Sequence, residues 1–262
     1  MIRPQNGGNI RLTAFYLGNV GWEISEEMDE RILLFLHPPK TGGSSLIKNI
    51  YDQYASPNSG TLPDQLYHDG VLYYPGEGFF VDACSEIPES VFEVLKRDDL
   101  KCVVGHFCYG IHRIIPRVTT YATILRHPLD RVSSLYRHLY KDRSLSIRQF
   151  VEKEPWPGVD NDQTRRIAGG IHLTGSCTDE TLEVAKENLT KRFEVVGTTE
   201  NMAVTLESFR KTYRWKNEVY SYLSGHDPDG DQFELDDISK EIIMKKNEFD
   251  ERLYSFAISS RS

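Results

Sequence analysis

A chain of 262 residues with 39% hydrophobic and 27% charged side chains can bury a substantial core, as one large domain or two small ones, and its composition excludes collagen, coiled coil and wholesale disorder. Its 31 Lys and Arg stand against 39 Asp and Glu, a net charge of −8 that argues against an unspecific nucleic-acid binder. The longest purely apolar run, Ile32 to Leu36, falls far short of the roughly 20 residues of a membrane-spanning helix, and the N-terminus has no signal-peptide pattern, so the expectation is a cytoplasmic protein without a transmembrane segment. Cys84, Cys102, Cys108 and Cys177 form no CxxC pair, which fits reduced thiols better than a disulfide framework or a zinc site.

There is no internal repeat, and residues 1–30 are weakly patterned. The run RILLFLH (31–37), stopped by Pro38-Pro39, predicts a buried strand of a parallel sheet. After the turn PPKTGGSS, Leu46, Ile47, Ile50, Tyr51 and Tyr54 recur at helical spacing. Residues 55–80, with SPNSG, LPD and YPGEG, read as a turn-rich connection. A helix is expected over SEIPESVFEVLKR, then strands at KCVVGHF and TTYATILR, and a helix over LDRVSSLYRHLYKD with Pro128 in its first turn. A loop, EPWPGVDNDQ, leads to TRRIAGG. A helix at TDETLEVAKENLTK, a strand at FEVVGTT, a helix at ENMAVTLESFRKTY and one late helix over ISKEIIMKKNEFDERLYSFA follow. Strands alternating with helices predict an α/β domain in three layers, a central mostly parallel sheet flanked by helices, with no composition break that demands a second domain.

In open α/β sheets ligands gather beyond the carboxyl ends of the strands. Two such turns carry unusual chemistry. In the first, Lys40, Thr41, Gly42, Gly43, Ser44 and Ser45, two glycines let the backbone approach a phosphate, helix-start N–H groups favour an anion, and the lysine and hydroxyls add charge and donors. It is not a Walker A loop, because the lysine precedes the glycines, and neither following strand ends in an obvious Asp for magnesium. In the second turn Arg126 ends a strand and Ser134 lies early in the next helix, so a guanidinium fork and a hydroxyl can converge on one phosphate. Arg131 and Arg137 could instead pair with Asp130 or face water. Between Arg126 and Arg148 six Lys or Arg face only Asp130 and Asp142, which suggests a dedicated anion site or a solvated helix face, whereas Asp227 to Glu251 carries ten acids against three lysines.

Two anion-binding turns at adjacent strand ends suit a ligand phosphorylated at two positions. FLHPPKTGGSSL resembles the 5′-phosphosulfate loop of the carbohydrate sulfotransferases, and TILRHPLDRVSSLYRH resembles their 3′-phosphate motif. VVGHFCYGIH, NDQTRRIAG, EVVGTTEN and NEFDERLYSFA are similar to later blocks of that family, which includes the heparan sulfate 2-O- and 6-O-sulfotransferases. The resemblance spans residues 31–257 and implies one P-loop-like sulfotransferase domain over 1–262, with 1–30 as an N-terminal extension. Departures are mild: Pro38 stands where Ile is frequent, Ser44 replaces Thr, and His127 stands where Asp is frequent. The Golgi relatives carry a membrane anchor that is not seen here, in keeping with a cytosolic enzyme.

The resemblance implies metal-independent, in-line transfer of a sulfuryl group from 3′-phosphoadenosine 5′-phosphosulfate (PAPS) to a hydroxyl of a glycan or other small acceptor, leaving adenosine 3′,5′-bisphosphate (PAP). Lys40 would neutralise the leaving phosphate, Thr41 to Ser45 would hold the 5′-phosphate, and Arg126 with Ser134 the 3′-phosphate. His106 is the candidate base, with His112 in reserve; an imidazole titrating near neutrality suits that role, although a lone histidine is more often structural. Arg165 or Arg166, in the block with Gln163, could contact the donor or an anionic acceptor or form a structural ion pair. Trp156 and the tyrosines could stack on sugars or belong to the core. The acceptor and the oligomeric state stay open. The rivals are a P-loop nucleotide kinase and a non-catalytic module that binds the bisphosphate.

Overall fold

Ile32–Leu36 forms β1, and all five of its side chains are buried because both sides of the strand are covered. Ile32, Leu34 and Leu36 enter one apolar cluster while Leu33 and Phe35 enter another. A strand alternates sides with period two, so burial on both faces requires a continuous apolar run. The computed structural model describes residues 31–55, 67–74, 89–140, 145–153, 157–169, 175–216 and 235–260.

Strands β2 (Tyr67–His68), β3 (Val71–Tyr74), β4 (Cys102–Gly105), β5 (Thr119–Leu125) and β6 (Phe193–Thr198) join β1 in a six-stranded sheet of order β2-β3-β4-β1-β5-β6. All described pairings are parallel except β2 with β3, a hairpin that turns at Asp69-Gly70, both with positive φ. Helices α1 (Gly43–Tyr54) and α7 (Met202–Thr212) cover the face of Leu33 and Phe35. On the opposite face lie α2 (Glu89–Leu95), α5 (Asp162–Ala168), α6 (Asp179–Lys191) and α9 (Glu248–Ser259). A third cluster joins α3 (Pro128–Leu139), α4 (Ile147–Lys153), α8 (Asp237–Lys246) and the short 3-10 turn Pro157–Val159. A mostly parallel sheet between helical layers is the α/β architecture expected from the pattern.

Four details depart from the sequence reading. Val71–Tyr74, inside the expected connection over 55–80, is a strand because β4 pairs with it, a partner far along the chain. Ile147–Lys153 is helical, and its Ile147, Phe150 and Val151 feed the third cluster. The expected loop through Gln163 is already helix from Asp162 onward. The late helix is two, broken at fully buried Asn247, whose Nδ2 donates to the carbonyls of Val159 (2.9 Å) and Ile243 (3.0 Å) while Oδ1 accepts from the Asn161 N–H (3.1 Å). That side chain ties the break to the 3-10 turn. Residues 1–30, Cys84, Trp156 and the start of the SEIPESVFEVLKR helix lie outside the described residues. Cys102 and Cys177 are free thiols. Among the described residues no helix is long and apolar enough to cross a membrane.

Candidate functional site

The strand order places β1 between β4 and β5, so the turns after these three strands open on one carboxyl edge. Leu36 at the end of β1 pairs with Gly105 on one side and Thr123 on the other. The first turn, from His37 to Gly42, is tightly bent: Lys40 (φ 69°) and Gly42 (φ 75°) both adopt left-handed backbone. For a lysine that conformation costs about 1–2 kcal/mol, and a turn holds it only where the surroundings over-determine it. The Thr41 side chain is fully buried and its hydroxyl donates to the Pro38 carbonyl (2.9 Å), so it braces the turn rather than presenting a donor outward. Gly42 is the N-cap of α1, with no side-chain cap and no acid in the first turn, which leaves the positive end of a three-turn helix open to an anion. Ser44 and Ser45 occupy that first turn, and their hydroxyls lie outside what is described.

The second turn meets the first. Arg126, just past β5, donates from Nη1 to the Lys40 carbonyl at 3.1 Å. Its backbone is held by the side-chain amide of Gln163, which accepts from the Arg126 N–H and donates to the Arg126 carbonyl, both at 2.9 Å. Gln163 thus continues the sheet ladder by one residue where no strand does. Thr199, after β6, ties the edge together: its N–H donates to the Leu125 carbonyl (2.9 Å) and its hydroxyl to the Thr41 carbonyl (3.0 Å). Burial lowers the Arg126 pKa, with Asp130 and Glu200 acting the other way. Pro128 is the first residue of α3 and Ser134 lies in its second turn, half-buried. His127 donates its backbone N–H to Glu200 (3.0 Å) and sets Nε2 at 3.1 Å from Glu251.

His106 follows β4 on the same edge. Its Nδ1 lies 2.6 Å from the His37 carbonyl. A carbonyl only accepts, so Nδ1 carries the proton and Nε2 is the basic nitrogen of the neutral ring. The backbone N–H of His106 donates to the Tyr74 carbonyl (3.2 Å), and its carbonyl accepts from Arg166 Nη1. Gly105 is not a flexible link: a Cβ there would stand 1.9 Å from the Tyr74 oxygen, so the strand closes against β3 only without one. His112 goes elsewhere. Its Nδ1 meets the Tyr121 hydroxyl (3.0 Å), and Tyr121 precedes Arg126 by roughly 16 Å of strand.

The arginines of the NDQTRR block are structural. Arg166 is buried and pairs with Asp162 (2.9 Å); burial disfavours its charge, but Asp162 and Cys108 together more than offset it and raise its pKa. Arg165 donates to the carbonyls of Asp160 (3.0 Å) and Gly175 (2.9 Å). Arg131 neither pairs with Asp130 nor faces water: it is fully buried, 3.8 Å from both Asp162 and Asp250, and donates to the Gly158 carbonyl at 2.8 Å. The basic stretch is therefore not one anion-binding face, since Arg148 meanwhile bonds Asp236 on α8's N-cap.

The edge thus gathers Lys40, Gly42, Gly43, Arg126 and His106, with Ser134 one turn inside α3, and sets His112 apart. Sequence reasoning missed His37 and the ladder role of Gln163. His37 only closes the predicted strand; its one signal in the sequence is a polar residue ending an otherwise apolar run. These features define an α/β protein with two adjoining basic turns at the carboxyl edge of a parallel sheet. Comparison with protein-family models and with curated proteins finds no match for the chain.

Proposed function

We propose that the chain is a sulfotransferase that moves a sulfuryl group from PAPS to a hydroxyl of a glycan or other small acceptor. The observation that carries this reading is the contact of Arg126 with the Lys40 carbonyl, which makes two basic turns into adjoining walls of one site. The residues suit such a donor: an uncapped helix end at Gly42-Gly43 and a lysine for one phosphate, a guanidinium and the start of α3 for the other. When bound, PAPS supplies an activated sulfuryl group whose S–O bond to the 5′-phosphate breaks in the transfer.

The roles of the chain's own groups follow. Lys40 and the first N–H groups of α1 stabilise negative charge that grows on the departing phosphate oxygen, which favours the transition state over the ground state. His106 Nε2 takes the acceptor's hydroxyl proton as that oxygen bonds to sulfur; Nδ1, engaged with the His37 carbonyl, keeps the ring in the required tautomer. Arg126 and Ser134 hold the 3′-phosphate and so fix the donor along the edge.

PAP at about a hundred times its Kd is expected to stabilise the fold by ~2.7 kcal/mol, or roughly 5–10 °C in melting temperature. Lys40→Ala and Arg126→Ala should each reduce that gain, and transfer from PAPS should persist in EDTA. Stabilisation by ATP–magnesium in place of PAP would instead make the protein a kinase. His106→Ala should bind PAP nearly as wild type and lose about 10²-fold or more in turnover. Normal turnover in that variant would remove His106 from the chemistry, and PAP binding with no transfer to any acceptor would make the chain a binding module.

A further inference from the structure

His37 is 6% exposed, and among the described residues neither of its ring nitrogens has a hydrogen-bond partner. Its ring stacks on Phe35 (5.6 Å between centroids) and lies 4.9 Å from the ring of His106. The remaining edge faces α1: a Cβ on Gly43 would fall 2.0 Å from Cε1 and 2.1 Å from Nε2. Turning the ring over exchanges those two atoms, so a nitrogen lies on this edge in either assignment. The imidazole therefore fills the place of the missing side chain at the first residue of α1, beside the first N–H groups of the helix, which have no partner within it.

The fold makes no use of this polarity. The surroundings on Phe35's side are apolar, and a leucine would fill the space without burying unpaired nitrogens. Burial, then His106, Arg166 and Lys40, hold the ring neutral, so one nitrogen is a donor and the other an acceptor. Lys40, with the helix end, draws an anion to this spot.

We infer that His37 Nε2–H donates a hydrogen bond to the oxyanion seated at the N-terminus of α1, making His37 a binding residue for the 5′-phosphate end of the nucleotide. The inference rests on the donor-site reading above, and binding experiments separate the two. Wild type, His37→Leu and His37→Gln are titrated with PAP, adenosine 5′-monophosphate and adenosine 3′-monophosphate. His37→Leu should bind PAP and the 5′-monophosphate roughly ten- to a hundredfold more weakly, and the 3′-monophosphate unchanged. His37→Gln, whose amide nitrogen reaches the region of Nε2, should stay within about threefold of wild type. In wild type labelled with ¹⁵N-histidine, the 5′-monophosphate should shift the Nε2 resonance of His37. If wild type binds none of the three nucleotides, the donor site itself falls. If wild type binds them and His37→Leu matches it, or loses the 3′-monophosphate equally, the donor site stands and His37 is only packing.

Discussion

Gly43 and His37 constrain one another. The glycine has no conformational need to be glycine, since its φ is not in the left-handed region; the need is spatial, because the imidazole occupies the volume of a Cβ. The ring cannot retreat, with Phe35 stacked on one side and His106 on the other. Gly43→Ala is expected to cost about 1–3 kcal/mol in urea unfolding through overpacking. In a His37→Ala background the same change should cost clearly less, because the two residues share one space and their effects do not add. The sequence showed the glycine pair and assigned it to a phosphate; it could not show that the second glycine answers to a histidine six residues earlier, since that contact exists only once β1 and α1 fold back on each other.

Helix α5 works as a joint between strand ends. Gln163 bonds the backbone of Arg126 after β5, Arg166 bonds the carbonyl of His106 after β4, and Asp162 pairs with Arg166 and faces Arg131 in α3. The start of the helix is anchored by Asp250 of α9, which accepts from the N–H and hydroxyl of Thr164, both at 2.8 Å. Gln163→Ala should destabilise by about 1–3 kcal/mol, because both backbone groups of Arg126 lose their partner, and should weaken PAP binding in parallel. Gln163→Glu at pH 7 should do at least as much damage, since a carboxylate oxygen would face the Arg126 carbonyl and Asp250, and should recover as the pH falls and that oxygen gains a proton. Thermal melts of both variants at pH 7 and pH 5 check this. The NDQTRR block is visible in the sequence as a motif, but whether its charges contact a ligand or form ion pairs is decided by burial, which is a property of neighbours.

At the scale of the molecule, buried neutral histidine makes the fold sensitive to mild acid. The pKa of His37 is well below 6.5 when folded, and that of His112 is lowered too, chiefly by burial. Below pH 6.5 the unfolded chain therefore binds protons that the folded one does not; stability is complete above that pH and declines beneath it, by at most about 1.4 kcal/mol per pH unit for each group. Between pH 6.5 and 5 the urea midpoint should fall in wild type and fall less in His37→Leu.

The order of apolar and polar residues determined the layered α/β architecture, because a strand buried on two faces and a helix buried on one leave periods that can be read without a partner. It also marked the two basic turns, since glycine, proline, lysine and arginine act through local backbone and charge. The hairpin strand of Val71–Tyr74, the break at Asn247, the inward turn of Arg131 and the meeting of Lys40 with Arg126 were decided only in three dimensions. Each depends on groups distant in the chain, and a hydrogen bond or a buried charge takes its meaning from the atoms that folding brings beside it.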